Sequence, residues 1–181
     1  MKRKNGLKKL GSRSIYRGRI FDLRVVRLQA PDGHKFQHDI VFHPGAAVIV
    51  PILESEQFVL VKQYRAATGK FILEFPAGTL ESGEEPLACA KREIVEETGF
   101  EAKQWQKLAR FYPAPGISTE LMHIFLASRL IPKRMSLDRD ELIERRIVPF
   151  NRLQKMILDG TIIDAKTIVG FFYYCQKYKK R

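Results

Sequence analysis

Residues 71–77 read FILEFPA and residues 78–100 read GTLESGEEPLACAKREIVEETGF. Phe71-Ile72-Leu73-Glu74-Phe75 is apolar at alternate positions and beyond, the pattern of a strand with little contact with water. Pro76-Ala77-Gly78 predicts a break, and Thr79 to Gly83 a loop, with Gly83 free to take a positive φ. Glu84 and Glu85 suit the first turn of a helix, and Pro86 is tolerated there. The helix is expected to run to about Thr98, with Gly99 just beyond its C-terminus. The segment thus reads as a strand, a loop and a helix in this order.

On a helical repeat Leu87, Ala90, Ile94 and Thr98 fall on one stripe, the expected core face. Glu93 and Glu97 lie along one edge of it, Glu96 points further out and Arg92 further still. Like charges on one helix face cost roughly 0.2–0.5 kcal/mol per i,i+4 pair, and a purely structural helix gains nothing in return. A helix that binds divalent cations does gain. Glu93 and Glu97, aimed at the strand end near the Ala77 carbonyl, make a hard, oxygen-only site suited to Mg²⁺ or Mn²⁺. A solvated acidic face is the plain alternative. It leaves the loop glycines, Glu84 and Arg92 at their spacings without a reason.

The defined positions are Gly78, five others, Glu84, seven others, Arg92-Glu93-Ile94, one other, Glu96-Glu97, one other, Gly99-Phe100. The pattern resembles the Nudix box at every one of them. Outside the box, Glu74 to Gly78, Gln63-Tyr64-Arg65 and His43-Pro44-Gly45-Ala46 are similar to the ADP-ribose pyrophosphatase branch of the Nudix hydrolases. So is Pro115, about fifteen residues past the box, followed by Gly116 and then Glu120.

The resemblance implies an α/β/α sandwich around a mixed β-sheet, with an N-terminal antiparallel β segment exchanged between the subunits of a homodimer. It implies Mg²⁺-dependent hydrolysis of a nucleoside diphosphate sugar, ADP-ribose first, to AMP and ribose 5-phosphate, with two or three metal ions per site. Carried over, the Ala77 carbonyl, Glu93 and Glu97 bind metal, Glu96 supports them, and Arg92 holds the glutamates through salt bridges. A further carboxylate is expected from the Leu137–Glu144 stretch, with Glu141 the best match. The family often has an acidic residue two positions earlier, where this chain has Arg139, so Glu141, Glu120 and Glu96 all stand as candidates for activating the water. His38 stands where the branch often has an arginine reaching into the partner's site.

Two or more Mg²⁺ ions can neutralise a diphosphate, acidify a bound water and orient it, so no nucleophilic side chain is required. Cys89 in the box helix and Cys175 in an apolar C-terminal helix read as small hydrophobes. Arg65 is either a bidentate phosphate clamp or a surface arginine. Phe21, Tyr112 and Phe42 could each offer adenine a platform, and Phe21 of the partner subunit is favoured.

The 181 residues suffice for one substantial core, and 45% hydrophobic with 29% charged residues is an ordinary globular balance. No apolar run approaches a membrane span, and the basic start MKRKNGLKKLGSRS has no apolar stretch after it, so it is not a secretory signal. Two cysteines without a spacing pattern point to a reducing cytoplasm. The net charge of +12 lies largely at the two ends, where Lys and Arg read as solvated tails rather than a nucleic-acid surface.

Along the chain, residues 1–14 read as a flexible arm, and residues 21–28 and 35–41 as strands joined at Pro31-Asp32-Gly33. Residues 1–43 thus form a basic arm and dimerisation segment, and residues 44–181 the hydrolase domain. In the latter, residues 46–52, 58–64, 105–112, 121–130 and 145–149 read as strands, and 151–158 and 165–177 as helices. The last helix is expected to place Ile168, Val169, Phe172 and Cys175 on its core face. Alternatives on the same site are GDP-mannose, another sugar nucleotide or a dinucleoside polyphosphate. The alternative of a different class is a Nudix-like regulator that binds a nucleotide or RNA. The complete box argues against it, as does a C-terminal segment too short for an added DNA-binding domain.

Overall fold

The computed structural model describes residues 6–135 and 142–179. Three strands open the chain: β1 (Lys8–Arg17), β2 (Asp22–Gln29) and β3 (Lys35–Phe42). They form an antiparallel sheet of their own, in the order β1-β2-β3. The expected flexible arm is corrected here, because Lys8 to Ser14 are in strand and pair with β2. Nearly every β1 side chain is exposed. The strand is therefore held by its backbone ladder, which leaves no apolar alternation in the sequence to betray it.

The second sheet is built from β4 (Ala46–Leu53), β5 (Gln57–Arg65), β6 (Lys70–Glu74), β7 (Ala77–Thr79), β8 (Phe100–Phe111), β9 (Met122–Pro132) and β10 (Ile143–Pro149). Its main path is β10-β5-β4-β9-β8, with β6 on β5 and β7 on β4. The β4–β9 pair is parallel and the others antiparallel, so the sheet is mixed. Ala77 to Thr79 pairs with Ala46 to Val48 instead of breaking the chain, and β8 starts at Phe100, five residues before the expected Trp105.

β4 reads AAVIVPIL with no polar alternation because both its faces are covered. Val48 and Val50 face a core with Phe58, Leu60, Phe75, Leu153, Phe171 and Tyr174. That core lies under α2 (Phe150–Leu158) and α3 (Ala165–Tyr178). Ala47 and Ile49 face the other way, against Cys89, Ala90 and Ile94 of α1 (Pro86–Thr98). Helices on both faces of a mixed sheet give the expected α/β/α sandwich. Phe58 centres the first core, with ring centroids 5.1 Å from Tyr174 and 5.9 Å from Phe171, each aromatic pair adding about 0.5–1.5 kcal/mol beyond area burial.

The core face of α3 differs from expectation. Thr167, Gly170, Phe171 and Tyr174 are buried, whereas Phe172 is 50% exposed. Ile168, Val169 and Cys175 only flank the core. With aromatic residues at four consecutive positions, 171–174, apolarity alone does not say which one faces inward.

Candidate active site

β6 ends at Glu74, and β7 then runs along β4 and turns away at Leu80, through a loop to α1. Gly83 takes φ +78°, as its loop position requires. Pro86 begins α1, and Gly99 closes it in the left-handed region at φ +67°. Local chemistry thus sets both ends of the helix.

Gly78 decides how closely α1 can lie on β7. A Cβ at this position would fall 1.7 Å from Glu93 Oε1 and 1.9 Å from its Cδ. The Glu93 carboxylate therefore rests directly against a bare backbone. Glu97, one turn on, is buried and accepts the Ala77 N–H on Oε2 at 3.0 Å.

Arg92 organises the remaining acidic side chains. Its Nε and Nη2 meet the two Glu84 oxygens at 3.2 and 3.1 Å, a bidentate pair. Its Nη1 reaches Glu93 Oε1 at 2.7 Å and Glu96 Oε2 at 2.9 Å. The expected outward Arg92 is thus folded back over the helix, less exposed than Glu96. The guanidinium bond holds the Glu84 carboxyl below the usual carboxylate range, aided by the Glu81 N–H. Those carboxylates in turn push Arg92 still further above its ordinary value, Glu84 most of all.

Glu93, Glu97, Arg92, Ala77 and Gly78 line one cavity of about 830 Å³. Gln63 and Arg65 from β5 also line it, as do Arg19, Ile20 and Pro44 from the N-terminal part of the chain. Arg65 is not a loose surface arginine. Its Nη2 and Nε contact Glu74 Oε1 at 2.5 and 2.8 Å. Gln63 Oε1 is buried with no hydrogen-bond partner among the described residues. A smaller cleft of about 300 Å³ adjoins the cavity, shares Arg19, Ile20 and Pro44 with it, and contains Phe21, Arg24 and Phe42.

The other expected site residues lie elsewhere. Pro115 and Gly116 are exposed on the loop after β8 and are not among the cavity walls. Glu120 Oε1 lies 3.9 Å from His43 Nδ1, also off those walls. His38 is exposed on β3, its ring 5.4 Å from Phe36. Glu141, with Asp138, Arg139 and Asp140, lies outside the described residues. Sequence reasoning passed over Gln63, although it shares a strand face with Arg65 at a spacing of two. Arg19 and Ile20 carried no local signal at all, because only the turn between β1 and β2 brings them to the cavity.

Cys89 is buried, 3.5 Å from the Gly78 carbonyl oxygen, and burial pushes its thiol up to about 12. It offers no thiolate for attack. Among the described residues no three His, Cys, Asp or Glu side chains converge as a ready metal cage. The donors that do face the cavity from α1 and β7 are oxygens, Glu93 and Glu97 beside the Ala77 backbone, and that chemistry fits Mg²⁺ or Mn²⁺.

Buried carboxylates and a tethered guanidinium lining one cavity of this size can hold a metal-bound diphosphate. The chain belongs to the NUDIX domain family, whose model matches residues 42–169. It is 36% identical over 168 residues to the ADP-ribose pyrophosphatase of Bacillus subtilis (strain 168), covering 92% of this chain and 91% of that protein. Over 168 residues it is also 35% identical to the methanol dehydrogenase activator of Bacillus methanolicus, with the same coverage of 92% and 91%. A crystal structure of an ADP compounds hydrolase superposes with a TM-score of 0.84 at 25% identity, covering 96% of this chain and 94% of that one.

Proposed function

We propose that the protein hydrolyses the pyrophosphate bond of a nucleoside diphosphate sugar, and that ADP-ribose, cleaved to AMP and ribose 5-phosphate, is its first substrate. The observation that supports it is that Glu93, Glu97 and Arg65 line the same cavity. Similarity to an ADP-ribose pyrophosphatase supports the choice of substrate.

Mg²⁺, or Mn²⁺ in its place, at two or three ions per site, supplies charge neutralisation of the diphosphate and an acidified water. Glu93, Glu97, the Ala77 carbonyl and Glu141 would hold it. Arg92 keeps Glu84, Glu93 and Glu96 from spreading apart and so holds Glu93 at the cavity edge. Arg65, anchored on Glu74, presents its far end to phosphate oxygens. Glu120, Glu141 and Glu96 are the candidates for taking the water's proton. Residues 1–43 form the dimerisation segment, through which Phe21 and His38 reach the partner's substrate, and Pro115 and Gly116 border the sugar. The compartment is the cytoplasm, in keeping with two free thiols, and neither nucleic acid nor membrane is a partner.

The test is nucleoside monophosphate release with Mg²⁺ from a panel of ADP-ribose, GDP-mannose, other sugar nucleotides and a dinucleoside polyphosphate. ADP-ribose is expected to give the highest kcat/KM. Release from no member overturns the reaction class, and a preference for GDP-mannose overturns the substrate.

A further inference from the structure

Behind Arg65 and its anchor Glu74 lies a chain of polar and charged groups that the proposed reaction has not used. Glu74, the last residue of β6, is 1% exposed. Its Oε1 takes Arg65, and its Oε2 takes Lys166 Nζ at 2.6 Å. Lys166, in the first turn of α3, is itself 7% exposed, and its Nζ also contacts Asp164 Oδ1 at 3.0 Å. The other Asp164 oxygen caps α3, accepting the Thr167 N–H at 3.0 Å and its hydroxyl at 2.6 Å. The Thr167 oxygen accepts the Phe75 N–H at 2.7 Å, and Phe75 is the residue after Glu74. The circuit is closed, and only Arg65 among its members lines the cavity.

Burying two charged side chains is costly, and replacing such pairs by packed apolar residues is often neutral or stabilising. A core strut between β6 and α3 therefore needs no Lys–Glu pair. The arrangement has a different consequence. A lone buried carboxylate would turn both oxygens to Arg65 and draw the guanidinium down out of the cavity. Lys166 occupies one oxygen and fixes the carboxylate plane, so Arg65 is bound through Nε and Nη2 alone and its Nη1 end is not engaged by Glu74. Asp164 in turn keeps Lys166 from moving fully onto Glu74. Of the four charged groups only Arg65 lines the cavity, so it is the one a substrate anion meets first.

We infer that Glu74 and Lys166 are positioning residues for diphosphate binding, setting the height and orientation of Arg65. The inference rests on Arg65 being a phosphate ligand, as proposed above. They act on substrate binding through Arg65 and touch no reacting atom.

The test is steady-state hydrolysis of ADP-ribose with Mg²⁺ by the full chain, comparing R65A, K166M, K166R and the double variant R65A/K166M, with thermal unfolding measured alongside. K166M keeps the aliphatic stem and is expected to raise KM about 10-fold, with kcat changed less than about 3-fold, because the lost interaction is one of binding. K166R restores KM to within about 3-fold. The double variant has the KM of R65A alone, since residues in one network do not act additively. A normal KM in K166M beside a raised KM in R65A overturns the positioning role and leaves Arg65 as a ligand. A normal KM in R65A overturns the phosphate reading itself. A multiplied effect in the double variant shows that Lys166 acts independently of Arg65 and overturns the inference. Should K166M fail to fold, Asp164→Asn keeps the helix cap but releases Lys166 toward Glu74. A raised KM that disappears in an R65A background then supports the role, and an unchanged KM overturns it.

Discussion

Gly78→Ala adds one methyl group at the tightest point of the site. The new Cβ would lie 1.7 Å from Glu93 Oε1, 1.9 Å from Cδ and 2.3 Å from Cγ. Carbon and oxygen come no closer than about 3.3 Å even in weak C–H···O contacts, so the carboxylate must retreat by about 1.6 Å. The obstructing atoms all belong to one flexible side chain, and Glu93 can rotate away without moving β7. The fold therefore survives, at roughly 1–3 kcal/mol for the overpacking. Glu93 leaves its place, however, and its 2.7 Å contact with Arg92 Nη1 is lost with it. A misplacement of about 1 Å can cost about 100-fold in rate, so kcat/KM for ADP-ribose is expected to fall by at least that factor. AMP release with Mg²⁺ reads the loss, and a thermal melt separates it from unfolding. A folded Gly78→Ala protein within about threefold of normal activity would refute the placement of Glu93 at the reacting centre.

Glu97→Gln keeps size and the bond from the Ala77 N–H but removes the charge, and is expected to cut turnover by roughly 10²–10³-fold, typical of losing one preorganised electrostatic contact. Unchanged turnover in a folded protein would dismiss Glu97 as a ligand. Arg92→Met tests the lock by pH. The Glu84 carboxyl is lowered in the folded protein, chiefly by Arg92, so its stabilising contribution is full above the ordinary value of 4.5 and is lost as pH falls below that through the depressed folded value. The Tm gap between the parent protein and Arg92→Met should accordingly narrow below about pH 4.5, and a constant gap down to pH 3 would contradict the pairing. Cys89, with its thiol pushed up to about 12 in a buried position, should resist iodoacetamide at pH 8 in the native protein. Rapid alkylation of Cys89 by mass spectrometry, with loss of activity, would show the helix to be far looser against β7 than it is here.

The box was legible because its chemistry is local. Helical spacing alone separated Glu93 and Glu97 from Glu96, and the turn residues fixed both ends of α1. β4 was legible because being covered on both faces writes an unbroken apolar run. β1 was not, since a strand held only by its ladder, with exposed Lys, Ser and Arg side chains, has no pattern to read. Arg92 was read as pointing outward because helical angle ignores the length of a side chain that can fold back on three carboxylates. Lys166 was invisible for another reason. A lysine in an amphipathic helix reads as solvent-facing, and only the approach of Glu74 from a strand 92 positions earlier makes its burial affordable.

The cavity divides along the same line. Ala77, Gly78, Glu93 and Glu97 come from one short stretch and meet through a strand, a loop and a helix, so the group proposed to handle the diphosphate is set by local sequence. Arg19, Ile20, Pro44, Gln63 and Arg65 come from three separate segments and meet only through tertiary packing. A change in the β1–β2 turn or at Gln63 can thus reshape the cavity without disturbing the edge of α1 proposed to bind the cation. Relatives of this chain that share about a third of its residues bear names as different as ADP-ribose pyrophosphatase and methanol dehydrogenase activator. A site whose reaction is written locally and whose walls are assembled from afar is free to diverge in that way. Gln63, whose buried Oε1 has no hydrogen-bond partner among the described residues, is the wall position we expect to weigh most on substrate choice.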